Sequence, residues 1–144
     1  ITPLNEQKKA STIDVRIAIG IGEKNYTSES ISESNGSAFI YSGEKFDLLK
    51  KEDITLGIKS PWPSFDEEMN LYLKLIGIFM DKWTLSSAEL VQIILNSQNI
   101  TQEEIGKQLG INQSGVSRRW TRAHINEILE VENIFRKKIN TIIK

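Results

Sequence analysis

Cysteine is absent from this chain of 144 residues, and histidine occurs only once, at His124. The sequence therefore excludes disulfides, thiolate zinc sites and a cysteine nucleophile, and a transition-metal site would need mostly carboxylate ligands. No apolar run approaches the ~20 residues of a membrane-spanning helix, and no signal-peptide pattern opens the chain. A hydrophobic content of 39% with 26% charged residues is typical of a folded globular protein. We expect a cytoplasmic protein with no metal and no other cofactor.

Net charge is also low, at −1, but it is unevenly distributed. Residues 98–144 carry a net charge of +3 and residues 1–97 carry −4. Between positions 112 and 122 there are three arginines and no acid. Because neutralisation of a phosphate backbone is local, this segment indicates a polyanionic partner better than the total charge does.

The most informative pattern is TQEEIGKQLGINQSGVSRRWTR at 101–122, which predicts two short helices joined by a tight turn. Thr101 and Glu104 form a capping box, and Gly110 supplies the positive φ that ends the first helix. Asn112 is the predicted N-cap of the second helix. Gly106 lies where that second helix passes close by. The apolar residues at helical spacing that face inward are Ile105, Leu109, Ile111, Val116 and Trp120.

Polar side chains occupy the outward face of the second predicted helix. In a helix-turn-helix, this face presents side chains to base edges in the major groove. The predicted base-reading residues are Gln113, Ser114, Ser117 and Arg118, with Arg118 favouring guanine. The predicted phosphate-binding residues are Lys107, Arg119 and Arg122. His124 follows this helix and fits a helix junction better than a phosphate contact.

The first half of the chain has the order strand, loop, helix, strand. Alternating apolar residues predict strands at 13–23 and 53–60, and helical spacing predicts a helix at 36–53. Gly20 and Gly22 leave one face of the first strand nearly bare, so that a helix backbone or a ligand can approach it. The glycines lack phosphate-loop spacing, which favours a structural strand end. The serine-rich segment 24–36 predicts a long loop, and the polar residues 1–11 predict an unstructured start.

The second half is predicted to be wholly helical. Ser64 with Glu67 opens a helix that runs to about Trp83 and is apolar nearly all round, so we expect it to be covered from more than one direction or to lie in a dimer interface. A further helix begins at Ser86 or Ser87. Its predicted inward residues are Leu90, Val91, Ile94 and Leu95. After residue 122, apolar residues keep helical spacing almost to the end, which predicts a helix packed on its own domain or, alternatively, used for dimerisation.

These motifs resemble known families. Residues 101–122 resemble the helix-turn-helix of bacterial regulators, in the form T-x-E-E-I-A…L-G-I-x-Q-S-x-V-S-R-R, with Gly106 and Gly115 as departures. The strand V-R-I-x-I-G-I-G-E and the helix G-S-A-x-x-x-S-G-E-K resemble the second half of a class III nucleotide-cyclase-like domain. The cyclase-like motif precedes the helix-turn-helix, and this order, over most of residues 13–135, most resembles the SatD family. Members of that family are bacterial proteins that combine a cyclase-like ferredoxin fold with a helix-turn-helix.

The resemblance implies an α+β fold in two parts. A small partial β-α-β portion, ferredoxin-like or cyclase-like, would occupy residues 1–62, and an all-α helix-turn-helix domain would occupy residues 63–144. Family members begin with a G-D-I-like strand and a long helix that this sequence lacks, and it starts at Ile1, so we expect a piece of a longer protein. In true cyclases two metal-binding aspartates lie in that earlier portion, so no catalytic residue is carried over.

The sequence therefore predicts a DNA-binding regulatory protein that is not an enzyme and that contacts double-stranded DNA as a homodimer. Two alternatives stay open. One is a nucleotide-binding or cyclase-like sensor or enzyme whose catalytic half lies upstream. The other is a helix-turn-helix that serves in protein interaction or dimerisation.

Overall fold

The computed structural model describes residues 14–23 and 36–143. The predictions for residues 1–11 and for the loop at 24–35 fall outside these ranges. The described residues form two strands and six helices in an α+β arrangement that is mostly helical. In chain order these are β1 (Ile17–Gly20), α1 (Ser37–Glu52), β2 (Leu56–Lys59), α2 (Pro63–Asp81), α3 (Leu85–Asn96), α4 (Gln102–Leu109), α5 (Gln113–Arg122) and α6 (Ile125–Ile143).

The strands β1 and β2 pair in parallel, with Ile17 opposite Leu56, and α1 packs across one face of the pair. Both strands are shorter than predicted. The bare face of β1 is explained by α1, since a Cβ added at Gly20 would lie 2.1 Å from the carbonyl oxygen of Ala38. The backbone of a helix, rather than a ligand, therefore occupies the space that the glycine leaves.

The outer edge of β2 is closed by a side chain of α2. The amide oxygen of Asn70 accepts from the backbone N–H of Ile58 at 2.8 Å, and its amide nitrogen donates to the carbonyl of Ile58 at 3.0 Å. Because an edge strand exposes unpaired backbone groups, this double hydrogen bond satisfies the N–H and the carbonyl of Ile58, beside which the described residues supply no further strand. The same amide anchors α2 to the sheet.

Helix α2 differs from its prediction in two respects. Trp62 is the N-cap and Pro63 is the first helical residue, whereas Ser64 lies inside the helix and makes no cap. Proline is well suited to this place because the first helical N–H has no intrahelical partner. Phe65, Met69 and Ile76 are buried against β2 and α6, but the opposite face is exposed, which corrects the expectation of cover on several sides.

Helix α3 begins one or two residues earlier than predicted, at Leu85. The N-cap is Thr84, whose hydroxyl accepts from the N–H of Ser87, so neither Ser86 nor Ser87 caps the helix. Leu90 is fully buried, and Val91 and Ile94 pack on the same core. Leu95 was predicted to face inward, but it is 75% exposed. The buried stripe of α3 is therefore narrower than its apolar residues predict, because the described elements cover one side of the helix.

The described residues form two apolar cores. The core that we call the helical core consists of buried residues from α3 to the start of α6: Leu90, Ile105, Val116, Ala123 and Ile125. The core that we call the mixed core joins the sheet to α2 and α6: its buried residues are Ile58, Phe65 and Met69, with Val131, Phe135, Ile139 and Ile142 packed on them. Helix α6 thus packs on its own chain along much of its length. No helix among the described residues combines the length and apolarity that a membrane span requires.

Candidate nucleic-acid interface

Helix α4 is held at its start by a complete capping box. The Thr101 hydroxyl accepts from the N–H of Glu104, and the Glu104 carboxylate accepts from the N–H of Thr101, each at 3.2 Å. This reciprocal pair satisfies two backbone donors that a helix start leaves without partners. The capping prediction is confirmed. It fixes the direction in which Ile105 enters the helical core.

The turn between α4 and α5 depends on two glycines. Gly110 adopts φ +69°, the left-handed conformation that ends α4, as predicted. The N–H of Ile111 bonds back to the carbonyl of Gly106 at 3.0 Å. A Cβ on Gly106 would lie only 2.7 Å from the backbone oxygen of Ile111, so the second glycine lets the turn fold against α4. The departure from alanine at position 106 therefore has a local geometric cause.

Helix α5 begins at its predicted cap. The Asn112 side chain accepts from the N–H of Gly115 at 2.8 Å, and a Cβ on Gly115 would lie 3.2 Å from that capping oxygen. On the inner side Val116 is fully buried, and the Trp120 indole donates to the Asn126 side chain at 2.8 Å. These contacts fix the rotation of α5 about its own axis and so decide which side chains point outward.

The four predicted base-reading residues are all exposed on α5. They are Gln113, Ser114, Ser117 and Arg118. At about 100° per residue, Ser114 and Arg118 lie opposite the buried Val116, Ser117 lies on the flank between them and Gln113, and Gln113 lies at the border of the exposed face. The face is polar and protrudes from the helical core.

Thr121 belongs to the same face, and the sequence reasoning did not single it out. Thr121 is exposed, and its hydroxyl donates to the carbonyl of Ser117 at 3.1 Å. The spacing in the sequence indicates its position, because Thr121 comes four residues after Ser117 and seven after Ser114 and so lies on the same side of the helix. The exposed face therefore extends one turn further along α5 than predicted.

Three arginines of α5 share one groove. A depression of about 440 Å³ beside the start of α5 is lined by Ile111, Asn112, Gly115, Arg118, Arg119 and Arg122. Arg118 and Arg122 are exposed and Arg119 is half-buried. Within residues 14–23 and 36–143, no carboxylate lies within 4.0 Å of any of these three guanidinium groups. The groove therefore offers several charged N–H donors of the kind that bind phosphate in a fork geometry.

Lys107 lies apart from that groove. It is exposed on α4, and its ammonium lies 3.9 Å from the Glu103 carboxylate one turn earlier. An exposed pair of this kind is weak, so Lys107 can exchange its partner at little cost. The structure brings together Arg119 and Arg122 of the predicted phosphate set and adds Arg118 to them.

His124 lies at the junction between α5 and α6 and has a positive φ of 56°. Its ring stacks on Phe79 at a centroid distance of 4.4 Å, and its Nδ1 atom lies 3.9 Å from the Glu127 carboxylate. The Trp83 indole donates to the carbonyl of the preceding Ala123 at 3.0 Å. Phe79 near the end of α2 and Trp83 just after it thus contact the bend that ends α5.

The glycines at the end of β1 have a structural use. The N–H of Glu23 donates to the Ser37 hydroxyl at 2.7 Å, and a Cβ on Gly22 would lie 2.4 Å from that hydroxyl. Among the described residues, no three or more His, Asp or Glu side chains come together as a metal-binding group.

Comparisons with known proteins identify no relative, since no family model, no curated protein and no solved structure matches this chain.

Proposed function

We propose that this protein binds double-stranded DNA and that α5 enters the major groove. The observation that supports this proposal is the polar side of α5, where exposed hydroxyls lie beside a groove with three arginines, none of which has a carboxylate within 4.0 Å among the described residues. Caps at its entry turn hold this helix. A helix of this kind fits the major groove, and its first two turns reach the base edges. The protein would act as a regulator, with DNA as its ligand rather than a substrate.

Within the proposal the side chains divide by position. Ser114, Ser117 and Arg118 would lie over the bases, with Gln113 at the border and Thr121 one turn further on. Arg119 and Arg122 would hold phosphates from the groove beside α5, and Lys107 would reach the backbone from α4. Arg118 lines the groove as well as the exposed face, so it stands where a base contact and a phosphate contact meet.

We also propose that the parallel unit of β1, α1 and β2 corresponds to part of the ferredoxin-like or cyclase-like portion of the SatD family. Its strand-helix-strand order and the close approach of α1 at Gly20 support this assignment. In such a protein the N-terminal portion would adjoin the DNA-binding helices. The corresponding biological role is that of a bacterial cytoplasmic regulator, which would bind its operator as a homodimer.

The proposal is tested first by selection from a randomised duplex library, followed by fluorescence anisotropy on the selected sequence. Arg118→Ala should weaken binding to the selected duplex by about 5- to 150-fold and relax the preference at one base position. Arg122→Ala should weaken binding to all duplexes by similar factors and reduce the slope of log affinity against log salt by about 1. Lys51→Ala on α1 removes the same charge far along the chain and is the matched control.

Two results would contradict this function. One is a selection that enriches no sequence while the protein fails to bind any duplex at low salt. The other is equal weakening by Arg118→Ala and Lys51→Ala, because charge alone would then explain the binding.

A further inference from the structure

Helix α2 carries an apolar stripe that no described element covers. Leu71, Leu75 and Ile78 are 54%, 44% and 48% exposed. Their spacing of four and three residues places them on one face of α2, which points away from the buried Met69. Large apolar side chains at this spacing on a surface indicate a contact with another helix.

The charges beside this stripe restrict what can cover it. Lys74 and Asp81 are both exposed, have opposite charge and are seven residues apart on one flank of the stripe. Neither makes an ion pair within the described ranges. Two turns of helix separate them by about 10 Å. Lys74 and Asp81 therefore lie symmetrically about a midpoint next to Ile78, and the exposed Glu67, seven residues before Lys74, gives a second opposite-charge pair about a midpoint next to Leu71.

We propose that this face binds the same face of a second copy, with the two α2 helices antiparallel across a two-fold axis near Ile78. In this arrangement Lys74 of each copy lies level with Asp81 of the other, giving two opposite-charge pairs, while Ile78 packs on its own symmetry mate. A two-fold interface requires such self-complementarity. A parallel two-fold arrangement would instead place the charged flanks of the two copies on opposite sides of the interface, where Lys74 and Asp81 cannot pair.

The size of the stripe sets the strength of this dimer. Three half-exposed side chains cover much less than the ~800 Å² per partner of a standard stable interface. We therefore expect a dimer that dissociates on dilution. The interface does not depend on DNA binding, although a two-fold dimer would match the symmetry of a palindromic operator.

Cysteine placement tests the direction of the helices, because the chain contains no cysteine of its own. Ile78→Cys should give a disulfide-linked dimer when diamide oxidises the two thiols, since the paired positions meet at the axis. Leu71→Cys is the matched variant, and its two copies would lie about 20 Å apart along antiparallel helices, beyond disulfide reach. Equal cross-linking of both variants, or of neither, would overturn the antiparallel arrangement.

Charge reversal tests the interface without DNA. Lys74→Asp and Asp81→Lys should each weaken self-association by roughly five- to tenfold in sedimentation velocity, and the double exchange should restore it. Leu95→Asp, which adds a charge at an exposed leucine of α3, should leave self-association unchanged. The proposal fails if the parent protein stays monomeric at high concentration or if the double exchange does not restore association. Duplex binding by such a monomer would leave the proposed function intact.

Discussion

The helical core and the mixed core differ in how far apart along the chain their members lie. All buried residues of the helical core fall between positions 90 and 125. The mixed core instead brings Ile58, Phe65 and Met69 together with Phe135, Ile139 and Ile142 near the other end of the chain. Contacts between nearby segments cost less loop-closure entropy than contacts across a long chain. Helix α6 belongs to both cores, with Ile125 in the first and Phe135 in the second.

Because of this difference, the two cores hold different elements of the structure in place. The helical core fixes the position of α5, the helix of the candidate interface, by contacts among residues 83–125. The mixed core fixes the C-terminal half of α6 and the small sheet by contacts between residues 58–73 and residues 131–142, which lie much further apart along the chain. The candidate interface should therefore keep its geometry even when the mixed core is loosened.

The largest expected effect breaks the mixed core alone. Met69→Ala removes a buried side chain and should lower the free energy of unfolding by about 2–5 kcal/mol. Hydrogen exchange should accelerate in β2 and in the second half of α6, while amides of α4 and α5 keep their protection. Ile105→Ala is the counterpart in the helical core and should give the reverse pattern. If both variants accelerate exchange equally everywhere, the two cores unfold as one unit and the comparison fails.

Two glycine-to-alanine substitutions should change the free energy of unfolding by smaller amounts and in opposite directions. Gly110→Ala should destabilise the protein by about 1–2 kcal/mol, because φ at this position is +69° and no neighbour compensates the strain. Gly43→Ala, in the middle of α1 with open space around it, should stabilise the protein by up to about 1 kcal/mol. Urea unfolding midpoints measure both. Shifts of the same sign would mean that helix propensity, rather than the turn at Gly110, dominates.

Local signals were readable from the sequence because their partners lie within a few residues. Thr101, Glu104, Gly110 and Asn112 each act within one helical turn, and all four were predicted correctly. The order of strands and helices followed from apolar periodicity for the same reason. The start of α2 was misjudged because a serine with a glutamate three residues on is a common pattern, while Pro63 at the first helical position is equally informative.

The remaining features depend on the tertiary arrangement. Leu95 has the same spacing as inward residues of α3, but none of the described elements covers it, so it is exposed. The double hydrogen bond from Asn70 to Ile58 joins residues that share no periodic pattern. The groove shared by Arg118, Arg119 and Arg122 requires the rotation of α5, which Val116 and Trp120 set only once the core is packed.

The smallest expected effect concerns a polar contact at the border of the mixed core. The Glu68 carboxylate on α2 accepts from the Tyr72 hydroxyl at 2.7 Å and lies 2.6 Å from the Lys138 ammonium on α6. The hydrogen bond with Lys138 and then that with Tyr72 hold the pKa of Glu68 below its ordinary value of 4.5. The same contact with Glu68 raises the pKa of Lys138, so the lysine stays charged throughout the acid range.

A lowered pKa in the folded state means that the ionised carboxylate favours folding. Its stabilising contribution is complete above the unfolded pKa, near 4.5, and is lost as the pH falls through the lower folded value. Glu68→Gln should therefore lower the free energy of unfolding slightly at neutral pH, and its difference from the parent protein should shrink below pH 4.5. The effect should be small because the pair is partly exposed. A difference that stays constant down to pH 3 would mean that Glu68 contributes by packing, so that the mixed core holds α6 through apolar contacts alone.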